Sequence, residues 1–476
     1  MIEIPPPDPH ILSRRKEIIA GLAALVEPEA LVTSEEERRA FETDGLTAYR
    51  RMPLAVVLPA STEEVSRVLR FCTENGVKVV ARGAGTSLAG GAIPLEDAVV
   101  IGVSRLSTVL SVNYVNRTAR VQAGITNLAI SQHVSPAGFF YAPDPSSQLA
   151  CSIAGNIAMN SGGAHCLKYG VTTNNLMGVT MVLADGTVVE IGGDHLDSGG
   201  YDFLALICGS EGQLGIVTEA TVRILRAAES ARPILLGFAT VEEAGAAVAA
   251  IIASGIIPVA LEYMDREAIS ITEDYARAGY PLDVEAMLII EVEGGEAEIE
   301  HTLAQILEIS KKHNPRSVRV SSSAAESAAI WKGRKAAFGA TGRISDYICM
   351  DGTIPTGQLP YVLKRMDEII AHYGLRVANV FHAGDGNLHP LILFDINTPG
   401  EMEKAEHAGE DILKLCVEVG GCLTGEHGVG IEKRDLMTYQ FNDADLKQQM
   451  RVRSVFDPHW LLNPGKVFPL QQLRAD

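Results

Sequence analysis

The sequence has few cysteines and a deficit of basic residues. Its 476 residues include seven cysteines, an odd number, and none form a C-x-x-C pair. This argues against a disulfide framework, a four-cysteine zinc site and an iron–sulfur cluster, and it favours a reducing compartment such as the cytoplasm. Lys and Arg total 40 against 59 Asp and Glu, so we expect no nucleic-acid binding, because phosphate recognition needs a basic footprint.

We expect neither a signal peptide nor a membrane-spanning helix. The opening MIEIPPPDPH has no basic stretch followed by an apolar one. The stretch Ala244–Leu261 is uncharged over 18 residues, about the shortest length that could span a bilayer. Gly255 and Pro258 interrupt it, so we predict a helix over about 241–254 instead. Peripheral contact with a membrane through a partner remains compatible with this pattern.

The length and patterning predict two or three domains. We expect an N-terminal helical segment over 1–52, a β-rich domain over 53–227 and a second domain over 228–455. In the second domain strands alternate with helices, which fits an α+β fold with helices on one face of an antiparallel sheet. The C-terminal segment, 456–476, combines turn residues with apolar anchors and is expected to return to the first domain.

Three polar, glycine-rich segments lie between predicted strands, at about 82–91, 143–163 and 209–219. Glycine lets the backbone approach a ligand closely, and exposed N–H groups can cradle phosphate. The first segment alone matches neither the dinucleotide fingerprint nor a P-loop, and an ordinary glycine turn is an alternative. The three together suggest a long ligand, such as a dinucleotide, lying along backbone amides.

A second group of residues points to a metal site. His382 and His389 flank an Asp-Gly turn signal between apolar runs. Centring a two-residue turn there places the two histidines directly opposite each other, about 5 Å apart, where they could share a metal ion. Glu426 would add a carboxylate ligand, and His427 lies among glycines on an exposed loop. The alternatives are two structural core histidines with a surface turn, or the zinc site of a hydrolase.

The glycine-rich segments together resemble the FAD-binding domain of the vanillyl-alcohol oxidase superfamily, over about residues 53–226. The resemblance implies an α+β fold: a two-subdomain FAD-binding domain, an α+β cap domain with an antiparallel sheet, and a C-terminal return segment. It implies that FAD is held by Arg82, Gly83, Ala84, Gly85, Thr86, Ser87, Gly90, Pro143, Asp144, Ser147, Ser152, Gly155, Asn156, Gly212, Ile216, Asn463 and Lys466. Relatives with covalent flavin carry histidine in the first loop. Thr86 stands in the corresponding run here, which implies non-covalent FAD.

The second half resembles the FAD-linked D-2-hydroxyacid dehydrogenases, and within them the D-lactate dehydrogenases and glycolate oxidase flavin subunits. The likeness rests on the runs WKGRKAAF (331–338), CMDGTIP (349–355) and RVANVFH (376–382), and on the histidine and Glu-His motifs above. It implies that a divalent metal, zinc or manganese, is bound by His382, His389 and Glu426. It implies that His427 is the catalytic base. We further expect Arg334 to hold the substrate carboxylate, since a guanidinium grips a carboxylate through paired hydrogen bonds.

The resemblance implies oxidation of a small 2-hydroxy acid, glycolate or D-lactate, to the 2-oxo acid, with hydride transfer to flavin N5. Electrons would pass to a quinone, a cytochrome or an iron–sulfur partner subunit. Cys349 stands about where the 2-hydroxyglutarate enzyme uses lysine for a second carboxylate, which favours a small monocarboxylate. One alternative is a flavin subunit that works only beside a second flavin subunit; another is a zinc metallohydrolase. The expected location is the cytoplasm or the inner face of the membrane.

Overall fold

The protein is described by a computed structural model that covers residues 2–195 and 199–473. The chain divides into two compact units. The N-terminal unit contains Ile2–Gly162, Gly170–Ala227 and the chain from Glu426 onward. The central unit contains Gly163–Tyr169 and Ala228–Gly425.

The strands are β1 Leu31–Val32, β2 Ala55–Val57, β3 Lys78–Arg82, β4 Ala98–Gly102, β5 Val109–Asn113, β6 Thr118–Gln122, β7 Phe139–Phe140, β8 Leu176–Val182, β9 Val188–Gly192, β10 Ile216–Arg223, β11 Leu225–Arg226, β12 Ser230–Phe238, β13 Ala260–Asp265, β14 Ala286–Gly294, β15 Ser317–Val320, β16 Asp346–Cys349, β17 Gly352–Thr353, β18 Arg376–Phe381, β19 Asn387–Leu388 and β20 Pro390–Phe394. The helices are α1 Pro9–Ser13, α2 Arg15–Ala23, α3 Glu35–Arg38, α4 Thr62–Glu74, α5 Asn127–Val134, α6 Ile153–Met159, α7 Cys166–Tyr169, α8 Thr172–Asn175, α9 Phe203–Ile207, α10 Val241–Ala253, α11 Arg266–Ala276, α12 Glu296–Lys311, α13 Ala324–Thr341, α14 Leu359–Tyr373, α15 Glu401–Glu418, α16 Met437–Gln440, α17 Asp443–Phe456 and α18 Leu470–Leu473.

The N-terminal unit is built on two sheets. The first has the order β1-β2-β4-β3, with β2, β4 and β3 parallel and β1 antiparallel. The second has the order β5-β6-β10-β8-β9 and is antiparallel. Strands β2 and β4 are buried along their whole length, as expected for parallel strands covered on both faces.

Helix α4 packs against the first sheet, and its sequence explains both its start and its buried face. The Ser61 hydroxyl accepts a hydrogen bond from Glu64 N at 3.2 Å and so caps the first turn. Val65, Val68 and Leu69 are fully buried, at the spacing of one helical face. They pack into one hydrophobic cluster with strands β2, β3 and β4. Burying each such side chain stabilises the fold by about 1.5–3 kcal/mol.

The C-terminal segment lies against the first sheet. Val79 of β3 donates to the Leu461 carbonyl at 2.8 Å, and Asn463 N donates to the Val79 carbonyl at 2.7 Å. Leu462 is buried in the same hydrophobic cluster as the sheet. The segment thus extends the sheet beside the strand that leads into the first glycine-rich loop.

The central unit is built on one large antiparallel sheet with the order β15-β12-β14-β13-β18-β20-β16. Helix α10 begins after Thr240, whose hydroxyl accepts from Glu243 N at 3.2 Å, and ends before Gly255, which has a φ of +85°. The helix predicted over 241–254 is therefore present. Among the described residues, no helix combines the length and apolar character needed to cross a membrane.

The units differ from the expected boundaries in three places. The N-terminal unit contains strand β1 as well as helices before residue 53. The central unit takes in Gly163–Tyr169, because Tyr169 hydrogen-bonds Glu293 and Lys168 forms a 3.0 Å ion pair with it. It ends at Gly425 and not at 455, because the chain from Glu426 onward packs with the N-terminal unit. These boundaries depend on tertiary contacts, which cannot be predicted from local composition.

The histidine hairpin has a different register from the predicted one. His382 pairs with Asn387 through N–H···O bonds of 3.1 and 3.2 Å, and His389 faces Val380. The turn therefore has four residues instead of two, and the direct pairing of His382 with His389 is wrong. The Gly384 N–H donates to the Leu261 carbonyl at 3.0 Å, so a neighbouring strand holds the wider turn. The two histidines are diagonal neighbours on one face, which keeps them close.

Candidate functional site

The first glycine-rich segment follows β3 and packs closely on the second. A Cβ atom at Gly83 would come within 2.2 Å of the Ser152 hydroxyl and 3.2 Å of Gly155 N. Only glycine leaves room for this contact. The Ser152 hydroxyl accepts a hydrogen bond from Gly155 N at 3.2 Å. The two segments thus meet with backbone and hydroxyl groups at their surface, as a loop that holds a phosphate requires.

A cavity of about 350 Å³ opens beside this contact. Its wall contains glycines, alanines and hydroxyl-bearing residues and carries no charged side chain. The lining residues are Gly83, Ala84, Ser104, Ser107, Gly124, Ile125, Thr126, Ala129, Ala150 and Ser152. The small side chains leave backbone groups accessible to a ligand, and the cavity is of a size that receives part of a cofactor.

Arg82 contacts residues around the first glycine-rich segment and stabilises its conformation. Its Nη1 donates to the Thr43 carbonyl at 2.8 Å, and its guanidinium carbon lies 5.6 Å from the centre of the Phe41 ring. A Cβ atom at Gly85, whose φ is +74°, would approach Arg82 Nη2 to 2.1 Å. Burial lowers the pKa of Arg82, although Asp44 acts in the opposite direction. Arg82 therefore shapes the loop through contacts within the protein.

Other predicted cofactor residues of the first two segments also hold the loops in shape. The Ser87 hydroxyl accepts from Gly91 N at 3.3 Å. The Asn156 carbonyl oxygen accepts from the Asn127 amide at 3.1 Å, and that amide also donates to the Pro143 carbonyl at 2.9 Å. This network ties the start of the second segment to α6.

The third glycine-rich segment meets the first through the C-terminal segment. The Asn463 side-chain amide donates to the Gly91 carbonyl at 3.0 Å and to the Glu211 carbonyl at 2.7 Å. Gly212, with a φ of +71°, passes so close that a Cβ there would lie 3.3 Å from that of Ala81. Asn463 therefore joins two of the three segments that the sequence assigned to one ligand.

Lys466 lies in the interior of the N-terminal unit. Its Nζ donates to the Asn463 side-chain carbonyl, and the residue is 1% exposed. Burial lowers the pKa of Lys466 to about 7, although the carboxylates of Asp44 and Glu211 act in the opposite direction. Burial raises the pKa of both carboxyl groups, against the N–H groups that bind them. The unit thus contains a buried ionisable cluster next to its glycine-rich segments.

Glu426 and His427 lie on a loop held by the N-terminal unit. Glu426 Oε2 accepts from Gly162 N at 2.9 Å. The Glu211 carboxylate accepts from Val429 N at 2.6 Å and Gly430 N at 2.8 Å. Sequence analysis missed Glu211; its position between two glycines of the third segment was the available signal. The predicted base is therefore on a loop anchored to two of the glycine-rich segments.

In the central unit, His382 and His389 form a close pair. Their ring centres are 5.0 Å apart and their planes meet at 84°. Both are buried, at 6% and 2% exposure. His389 Nε2 lies 3.4 Å from Asp351 Oδ1. Each buried imidazole thus has a carboxylate beside it, Glu262 for His382 and Asp351 for His389, as buried polar groups require partners.

Glu262 links His382 to Arg334. Its Oε2 accepts from Arg334 Nε at 2.8 Å, and its Oε1 lies 2.8 Å from His382 Nδ1. Burial raises the pKa of Glu262, but His382 and Arg334 outweigh it and leave the pKa below its ordinary value. Arg334 is 3% exposed, and its Nη2 lies 2.6 Å from Glu262 Oε2. A guanidinium has five N–H donors, so one that faces a single carboxylate through Nε and Nη2 has further donors for an anionic ligand.

Asp351 is the third carboxylate, after Glu211 and Glu262, that the sequence analysis did not single out. Its Oδ2 accepts from the Thr424 hydroxyl at 2.6 Å and from Gly425 N at 3.0 Å. Asp351 therefore contacts both His389 and Gly425, the residue directly before Glu426. Its signal in the sequence was weak, because an Asp-Gly pair between short strands is typical of an ordinary turn.

Comparison with known proteins identifies the family. Residues 53–192 match the family described as FAD binding domain, and residues 227–467 match that described as FAD linked oxidases, C-terminal domain. The chain belongs to the FAD-linked oxidases. It is 50% identical to "Glycolate oxidase subunit GlcD" of Escherichia coli K12, over 96% of this chain and 91% of the relative. It is 30% identical to "D-lactate dehydrogenase" of Anaerostipes hadrus, over 96% and 97%.

Among solved structures, this FAD-linked oxidase resembles 4-ethylphenol oxidase from Gulosibacter chungangensis. The TM-score is 0.81 at 17% identity, covering 98% of this chain and 99% of the other. This likeness confirms the predicted α+β fold of vanillyl-alcohol oxidase type. The predicted membership of the FAD-linked D-2-hydroxyacid dehydrogenases is confirmed by the relatives above. The protein is an FAD-linked oxidoreductase with FAD as its cofactor.

Proposed function

We propose that this protein oxidises a small 2-hydroxy acid, glycolate or D-lactate, to the corresponding 2-oxo acid. The observation that carries the proposal is the buried cluster of Arg334, Glu262, His382 and His389. It offers a cationic donor for a carboxylate next to imidazoles that can bind a metal. Relatives named for glycolate and D-lactate support the substrate class.

FAD binds non-covalently along the glycine-rich segments in this proposal. The cavity beside Gly83 and Ser152 fits part of a dinucleotide, because small residues leave backbone N–H groups free to approach phosphate oxygens. Thr86 has no imidazole to form a histidyl link. FAD, when bound, accepts the hydride from the substrate's α-carbon.

A divalent metal, zinc or manganese, would be held by His382, His389 and Glu426. The donor set fits, since two imidazoles and a carboxylate suit such ions and leave positions for substrate. The family resemblance implies Glu426 as the third ligand. A metal supplies Lewis-acid lowering of the substrate hydroxyl pKa.

Two side chains act on the substrate directly. Arg334 binds the carboxylate with guanidinium N–H groups other than those that face Glu262, since a guanidinium has five donors. His427 takes the hydroxyl proton, because imidazole has a pKa suited to base catalysis near neutral pH. The oxidation balances, since the hydroxyl proton would go to His427 and FAD, when bound, would supply the acceptor for the α-hydrogen and its two electrons. Buried Cys349, in place of a lysine, favours an acid with one carboxylate.

The final electron acceptor would be a quinone, a cytochrome or an iron–sulfur partner subunit. The word "subunit" in the name of the Escherichia coli relative supports a second candidate. In that case the chain is the flavin component of a complex with a second flavin subunit, in the cytoplasm or at the membrane's inner face. A metallohydrolase is disfavoured, because it leaves the FAD-binding domain without a role.

The test is an anaerobic visible spectrum of FAD-loaded, metal-replete protein, before and after adding glycolate, D-lactate, L-lactate or D-2-hydroxyglutarate. We expect glycolate or D-lactate to bleach the flavin and D-2-hydroxyglutarate to leave it oxidised. Bleaching that occurs only after partner subunits are added would support the second candidate. Oxidised flavin under both conditions would refute the proposal.

A further inference from the structure

Glu262 contacts both the predicted metal ligand His382 and the predicted substrate anchor Arg334. It lies in β13 and is fully buried. Strands β13 and β18 pair with Tyr263 opposite Phe381, and this register places Glu262 opposite His382. Arg334 reaches the same carboxylate from α13, with Nη2 2.6 Å from Oε2.

An ionised carboxylate accepts hydrogen bonds and has no proton to donate. The ion pair with Arg334 keeps Glu262 in that form. Both Glu262 oxygens lie within 3.0 Å of His382 Nδ1. A neutral His382 must therefore carry its proton on Nδ1, which leaves the lone pair on Nε2. Metal-bound histidines in general depend on such a partner for tautomer and orientation.

We propose that Glu262 is a positioning residue that fixes His382 as the Nδ1–H tautomer, so that Nε2 is presented to the metal, and holds Arg334 in register with it. The inference rests on the proposed function, because it assumes that His382 binds a metal. In this role the Glu262 carboxylate sets the spacing between His382, the metal ligand, and Arg334, which binds the substrate carboxylate.

The substitution Glu262→Gln tests this role with almost no change in shape. The Gln carbonyl oxygen can still accept from Arg334, but the amide then turns its N–H₂ toward His382 Nδ1. That contact favours a proton on Nε2, the atom needed by the metal. We expect metal release to an excess of chelator to become about 10- to 100-fold faster, while the flavin absorbance of the same sample is retained.

The matched control is Glu291→Gln. Glu291 is also a buried glutamate of this sheet, and it contacts a histidine, His165, at 3.2 Å and Trp331 Nε1 at 2.6 Å. Its histidine is not a predicted ligand. We expect this variant to release metal at the wild-type rate. Equal release rates for Glu262→Gln and the wild type would overturn the inference, as would equal acceleration in both variants.

Wild-type protein and His382→Asn separate this inference from the proposed function. If the wild type holds no stoichiometric metal, or if His382→Asn holds it as well as the wild type, the proposed metal site fails. A second measurement covers a Glu262→Gln variant that does not fold. In chelator-treated wild type with ¹⁵N-labelled histidine, the NMR signal lost in His382→Asn should show the Nδ1–H tautomer; an Nε2–H tautomer would overturn the inference.

Discussion

Replacing Gly83 with alanine should weaken FAD binding through one defined contact. The new methyl group would lie 2.2 Å from the Ser152 hydroxyl, so that hydroxyl must move and release Gly155 N. Loss of such a cap costs about 1 kcal/mol, and overpacking costs about 1–3 kcal/mol. The loop can relax without FAD and must return when FAD binds. We therefore expect the Kd of FAD to rise by about 10- to 100-fold.

A fluorescence titration of the apoprotein with FAD measures this change. The second substitution Ser152→Gly removes the clashing hydroxyl and by itself costs only a few tenths of a kcal/mol. We expect Gly83→Ala/Ser152→Gly to bind FAD more tightly than Gly83→Ala alone. Gly357→Ala is the control, because a Cβ there meets no described atom within 4 Å. Wild-type affinity in Gly83→Ala, or no recovery in the double variant, would refute the reasoning.

Three further substitutions test other parts of the site. His427→Gln should slow anaerobic flavin reduction by about 10²- to 10⁴-fold with FAD content unchanged; a wild-type rate would exclude its role as base. Glu211→Gln leaves one oxygen for the Val429 and Gly430 N–H groups, so the unfolding free energy should fall by about 1–3 kcal/mol in urea titrations. Lys466 has a pKa of about 7 instead of 10.5. The free-energy cost of burying Lys466 is therefore complete below pH 7, and it decreases as the pH rises from 7 to 10.5. Lys466→Met should abolish a stability increase of up to about 5 kcal/mol across that window; an unchanged slope would contradict this.

The sequence was sufficient where the signal is local. Helix α10 begins at a threonine cap and ends at a glycine with positive φ, both visible as residue types. The glycine-rich segments led to the prediction of FAD, which the family match confirms as the cofactor; that these segments hold it stays a prediction. The family followed from the same motifs, since they occur in order over most of the length.

The sequence was insufficient where partners come from distant strands. The Asp-Gly pair predicts a two-residue turn, but contact of Gly384 with Leu261 holds a four-residue one, so the histidine register was wrong by two residues. Glu262 was visible as a lone charge in an apolar strand. Its role required the register of β13 with β18, which no local pattern provides.

The measurement that tests the central claim most directly is anaerobic flavin reduction by α-deuterated substrate. Metal-replete protein is mixed with glycolate or D-lactate carrying hydrogen or deuterium on the α-carbon, and the 2-oxo acid is quantified. We expect slower bleaching with deuterium and one 2-oxo acid formed for each flavin reduced, because the α-hydrogen is transferred in this step. Flavin reduction without 2-oxo acid, or no reduction by either acid, would contradict the account.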